Sequence, residues 1–162
     1  MVFDYYARLS KKQQSIYRES DAISHVAIAN PADLRNSIAS LELALQSEDV
    51  KWTESLCKEI MDTLATKLHV PKLRIRVLLV RPSDDRGELH GLYEPVEDRK
   101  KACITVWMRT VSHKRVVAFK TFLRTLLHEF CHHLDYELFQ LHDSFHTEGF
   151  FKRESTLFKQ LM

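Results

Sequence analysis

A chain of 162 residues, 44% of them hydrophobic, has enough apolar material for one domain with a sizeable core and is no low-complexity or disordered polypeptide. A formal net charge of +2 argues for neither a nucleic-acid nor an anionic-membrane partner, and the basic clusters (Arg74 with Arg76, Arg99 to Lys101, Lys114 with Arg115) read as solvated faces. Cys57, Cys103 and Cys131 are odd in number and form no C-x-x-C, so they read as reduced thiols packed as small apolar residues in a cytoplasmic protein. Met1 to Ser10 lacks an apolar leader core and no apolar run is long enough to span a bilayer.

In chain order, Ser10 followed by Gln13 has the form of a capping box, and Ile16, Tyr17, Ser20 and Ile23 recur on one side of a first helix. Asn30 and Pro31 suit a cap and first helical position, after which Leu34, Ile38, Leu41 and Leu45 mark an amphipathic helix. A third helix opens at the acidic start Ser47-Glu48-Asp49, carries Trp52, Leu56, Ile60, Leu64 and Leu68 as its stripe, and ends at Pro71. From Leu73 to Arg81 the period becomes two, predicting a strand that is half buried at its start and more fully buried later. Pro82 to Gly87 is turn chemistry, Gly91 to Pro95 a short second strand, and Ala102 to Met108 a third, rich in β-branched and aromatic residues. Ser112 would cap a long helix over about Val116 to Leu134, and a closing helix would follow His146 with Phe150, Phe151, Leu157, Phe158 and Leu161 as its stripe.

The long helix contains His128-Glu129-Phe130-Cys131-His132, an H-E-x-x-H pattern. Residues four apart on a helix share a face, so the two imidazoles can grip one ion while Glu129 reaches a water held by it. Zn²⁺ lowers the pKa of such a water from about 16 toward about 7, and a carboxylate beside it can take the proton. Catalytic zinc usually has three protein ligands, so a third is sought downstream. Asp135 and Leu138 stand where the longer H-E-x-x-H-x-x-G-x-x-H pattern needs Gly and His, which excludes that class. His146, at the mouth of the closing helix, is favoured as third ligand, with Glu154 and His142 as alternatives; His133 and His142 taken singly read as exposed or outer histidines. Asp135 either orients a ligand imidazole or terminates the helix, and Tyr93, His142 or Arg153 are candidates for oxyanion support.

His128 to His132 followed by His146-Thr147-Glu148-Gly149-Phe150 resembles the SprT-like and related minimal zinc metallopeptidase domains of the minigluzincin type, in which H-E-x-x-H is followed by a short excursion and H-x-x-x-F. The resemblance covers about Leu73 to Met162 and rests mostly on the two histidine motifs. Together with the helical part that the apolar spacing predicts to about residue 70, it implies a single zincin-like α+β domain over residues 1–162, with a small, mostly antiparallel sheet, the motif helix and a closing helix over 72–162. It also implies Zn²⁺ as cofactor, a peptide or protein substrate, Glu129 as general base, and Cys103 to Met108 as the strand bordering the cleft. The chain lacks a cysteine-rich ribbon, and its helical first seventy residues have no counterpart in the resemblance. Two rival expectations stand beside this one: a zinc hydrolase of a non-peptide substrate, against which Glu129 argues, and a zincin-like module that binds metal or peptide without turnover, its cleft blocked by the N-terminal helices.

Overall fold

The computed structural model describes residues 2–162. Helix α1 (Lys11–Ala22) starts with a reciprocal cap: the Gln13 backbone N–H donates to Ser10 Oγ at 3.2 Å, and the Ser10 N–H donates to Gln13 Oε1 at 3.0 Å. Pro31 opens a short 3-10 turn instead of the next helix; Asn30 before it is left-handed at φ 49° and makes no side-chain cap, so the expected Asn30 cap is not formed. Helices α2 (Arg35–Gln46) and α3 (Val50–Leu68) follow, the second capped by Asp49, whose carboxylate accepts from the Trp52 N–H at 3.0 Å. α3 ends at His69, left-handed at φ 57°, before Pro71 is reached. Its buried face centres on Thr53, Cys57, Ile60 and Leu64, which leaves Trp52 one position off the face and 39% exposed.

Five strands follow: β1 (Arg74–Val80), β2 (Ser83–Asp84), β3 (Gly87–Glu88), β4 (Gly91–Glu94) and β5 (Cys103–Arg109). β2 and β3 form a small antiparallel hairpin, and the other three make a sheet in the order β1-β5-β4. β5 runs parallel to β1, with Ile75 opposite Ile104 and Val77 opposite Val106, and antiparallel to β4, with Tyr93 opposite Ile104. The sheet is therefore mixed, correcting the mostly antiparallel expectation. β4 reverses the chain and the next turn restores its direction, so β5 returns alongside β1. β5 takes the centre because Cys103 to Met108 are all buried, the unbroken apolar run of a strand covered on both faces. For the same reason β5 cannot border a cleft; both its edges are paired and the free edge beside the motif helix belongs to β4.

β1 also departs from expectation. Ile75 and Val77 are buried, but Leu78, Leu79 and Val80 are exposed. α3 covers only the first part of this strand, where the Val77 N–H donates to Glu54 Oε2 at 2.9 Å.

Helix α4 (Phe119–Glu137) carries the histidine motif and starts later than expected: Val116 pairs with Arg109, His113 and Lys114 adopt left-handed turns, and Ser112 caps nothing. Helix α5 (Glu148–Leu161) begins at Thr147, whose hydroxyl accepts from the Phe150 N–H at 2.9 Å. One apolar cluster joins α2, α3, β1, β5, α4 and α5, with all three cysteines buried and free. Among the described residues no helix is long and apolar enough to cross a membrane.

Candidate metal centre

His128 and His132 project from one side of α4, their ring centroids 5.2 Å apart. His146 arrives from the segment ahead of α5 and closes the group: its Nε2 is 3.1 Å from His128 Nε2 and 3.0 Å from His132 Nε2. The three donor atoms lie within 4.8 Å of one another and could hold a metal ion. A small ion with tetrahedral imidazole ligands at about 2.0–2.1 Å spaces them by about 3.3 Å, so the observed spacings suit one after a small adjustment. Phe150, fully buried, supports the site with its ring centroid 5.0, 4.7 and 5.2 Å from those of His128, His132 and His146.

Hydrogen bonds on the far side of two rings fix which nitrogen is free. His128 Nδ1 lies 2.6 Å from Glu154 Oε1, and an ionised carboxylate only accepts, so Nδ1 carries the proton and Nε2 the lone pair. Ser144 Oγ donates to Asp135 Oδ2 at 2.7 Å and therefore accepts from His132 Nδ1 at 2.7 Å. His132 Nε2 is again a lone pair. These two lone pairs converge with a third imidazole, the donor set that a cation would need. Burial, and after it the neighbouring imidazoles His146 and His128, push His132 down to about 3; burial and His128 likewise lower His146 against the pull of Glu154. Neutral rings are the form that binds a metal.

Glu154, weighed as a ligand, is instead the partner that orients His128, and it also accepts from Arg124 Nη1 at 3.3 Å. His142 is exposed and outside the cluster. Asp135 does not end the helix, which runs on to Glu137; it acts on His132 through Ser144 and pairs with Arg153 Nη2 at 2.8 Å. Arg153 is 1% exposed and also donates to the Ser20 carbonyl at 2.6 Å, the Ile23 carbonyl at 2.5 Å and Ser20 Oγ at 3.0 Å. It is thus a strut between α1, α4 and α5, with no reach toward a substrate. His133 is fully buried, not exposed: its Nε2–H donates to the Pro71 carbonyl at 2.8 Å, leaving Nδ1 to accept from Tyr93 Oη at 2.9 Å. The Tyr93 hydroxyl is therefore engaged in tying β4 to α4.

The N-terminal helical part has a place in this centre. Tyr5 Oη donates to the His146 carbonyl at 2.6 Å, and the Gly149 N–H donates to Asp21 Oδ1 at 2.9 Å. A Cβ at Gly149 would stand 2.5 Å from the Asp21 carbonyl oxygen, so only glycine lets α1 and the start of α5 meet this closely. α1 and the turn before it hold the segment that delivers His146.

Glu129 is 8% exposed and faces β4 at Gly91, where a Cβ would lie 2.8 Å from both Glu129 Oε1 and Thr125 Cγ2. Burial pushes its carboxyl up to about 7, opposed by His128 and reinforced by the Glu154 charge. Two hollows meet here. One of about 660 Å³ lies between α4, α5 and the start of β4; the other, of about 290 Å³, continues along β4 past Tyr93 and Tyr136. Gly91, His128, Glu129 and His146 line both, which makes a groove along the free edge of β4 with the histidines at its middle.

Sequence reasoning missed Ser144, Gly91 as a contact of Glu129, and Tyr5. Ser144 and Tyr5 act through bonds between distant segments that leave no periodic trace; Gly91, one of three glycines in the chain, was a signal of close backbone approach. Comparison with family models, with curated proteins and with solved structures finds no match to this chain.

Proposed function

We propose that this chain is a zincin-like zinc metallopeptidase of the SprT-like type, with His128, His132 and His146 as metal ligands and Glu129 as general base. The observation that carries the reading is the convergence of three imidazole nitrogens, two of them held as lone pairs by Glu154 and Ser144, beside a buried carboxyl poised near neutrality. A donor set of three neutral imidazoles suits Zn²⁺, which when bound supplies a Lewis acid that polarises a carbonyl and acidifies water. Glu129 accepts the proton of the attacking water at its carboxylate and passes it to the leaving amine nitrogen. β4 pairs with β5 on one side only, so its other edge is free to align an extended peptide across the groove. Among the described residues neither hollow is lined by any residue before His90, which favours an open groove over one covered by the N-terminal helices.

The test is cleavage of a mixed peptide library by the zinc-loaded full chain and by Glu129→Gln. The parent is expected to cut peptides, and the variant to keep its zinc while losing turnover by several orders of magnitude. Equal cleavage by both would remove Glu129 from its role. Zinc bound without cleavage by either would favour a binding module.

A further inference from the structure

We infer that the larger hollow, about 660 Å³ beside the histidines, is a specificity pocket for an acidic side chain, so that the substrate is a peptide carrying Asp or Glu adjoining the scissile bond. The inference rests on the peptidase reading and names its substrate class. Two cations, Lys120 and Arg124, line the hollow from the first turns of α4. Lys120 is exposed and, among the described residues, has no carboxylate partner. The first turn of α4 carries no side-chain cap, so its positive end adds to the same region.

Arg124 is held as a receptor group would be. Its guanidinium lies over the Phe158 ring, 4.2 Å from the centroid, and Nη1 donates to Glu154 Oε2 at 3.3 Å. Phe158 and Glu154 thereby restrain the planar fork, and most of its five N–H donors stay available to a second carboxylate. The acidic residues of the hollow offset only part of this charge: Glu154 pairs with Arg124, and Lys120 is left without a carboxylate among the described residues. Glu154 has one oxygen on His128 Nδ1 and the other on Arg124, and Glu129 is the proton acceptor of the reaction itself. Glu88 does not line the hollow; its carboxylate lies 3.7 Å from His90 Nε2 and accepts from the Val111 N–H and from Arg81. A lysine or arginine entering the hollow would meet Lys120, a like charge with no carboxylate partner among the described residues. A plain aliphatic chain would leave the guanidinium fork unused.

The test uses the zinc-loaded full chain and peptides that differ by Glu against Gln or Lys at one position, scanned across the cleaved bond. A preference of about tenfold or more in kcat/KM for Glu over Gln at one flanking position is expected. In Lys120→Glu combined with Arg124→Gln that preference should fall to within about twofold while zinc per chain stays at the parental level. A second arm measures anisotropy of labelled Glu and Gln peptides on zinc-loaded Glu129→Gln, where no turnover is needed. Cleavage without acid preference would overturn the pocket and leave the peptidase standing. Acid-selective binding lost in the double variant, with no cleavage by the parent, would support the pocket and overturn the peptidase. Neither cleavage nor acid-selective binding would overturn both.

Discussion

Ser144→Ala isolates the relay that orients one ligand. In the parent, His132 Nδ1–H donates to Ser144 Oγ and Ser144 Oγ donates to Asp135 Oδ2, both at 2.7 Å. The alanine removes the acceptor that fixes the His132 tautomer, and losing such a support typically weakens metal binding by 10- to 100-fold, about 1.4–2.7 kcal/mol. It also strips one bond from a carboxylate that is wholly buried and that burial already pushes up to about 6 against the pull of Arg153, at a stability cost of about 1–3 kcal/mol. Zinc affinity by competition against a chromophoric chelator and metal-free stability by urea unfolding separate the two effects. Affinity within twofold of the parent, with stability unchanged, would refute the relay.

Three further outcomes follow from the same geometry. Gly91→Ala puts a methyl 2.8 Å from Glu129 Oε1, so the carboxyl must shift; a displacement of about 1 Å is expected to lower kcat/KM by about a hundredfold with zinc content unchanged, and full activity would contradict the placement of Glu129. Arg153→Met leaves Asp135 buried without its cation and should cost about 3–5 kcal/mol in urea unfolding, with Asp135→Leu in the same chain recovering part of it; a loss under about 1 kcal/mol would remove the strut. In the metal-free protein His132 is held near 3, below the usual histidine value of about 6.5, so the unfolded chain takes the proton first and stability present above pH 6.5 is lost on acidification, by up to about 2 kcal/mol at pH 5. Burial raises Glu129 and Asp135, which act in the opposite sense, so the comparison is of the parent with His132→Asn at pH 7.5 and 5.0, where the parent should lose more; parallel profiles would argue against the crowded imidazoles.

What was legible in the chain was local. A capping box spans four residues and a two-histidine pair spans one helical turn, so Ser10 with Gln13 and His128 with His132 carry their geometry in their spacing. His146 was legible only as a residue type placed before a closing helix, and its delivery depends on contacts from Tyr5 and Asp21 that span the length of the chain. The roles of Glu154 and Ser144 are invisible for the same reason: a carboxylate or hydroxyl on a second segment reads alike whether it meets a metal or the far nitrogen of an imidazole. The mixed sheet was foreshadowed by the unbroken apolar run of β5, yet strand order is a tertiary property, and an alternating strand such as β1 does not reveal that α3 stops short of Leu78 to Val80.

The most direct measurement is diffraction from the zinc-incubated full chain on both sides of the zinc absorption edge. One anomalous peak per chain, bounded by the Nε2 atoms of His128, His132 and His146 with Glu129 alongside, is the outcome this account requires. No peak there, or a peak ligated by Glu154 or His142 in place of His146, would contradict it.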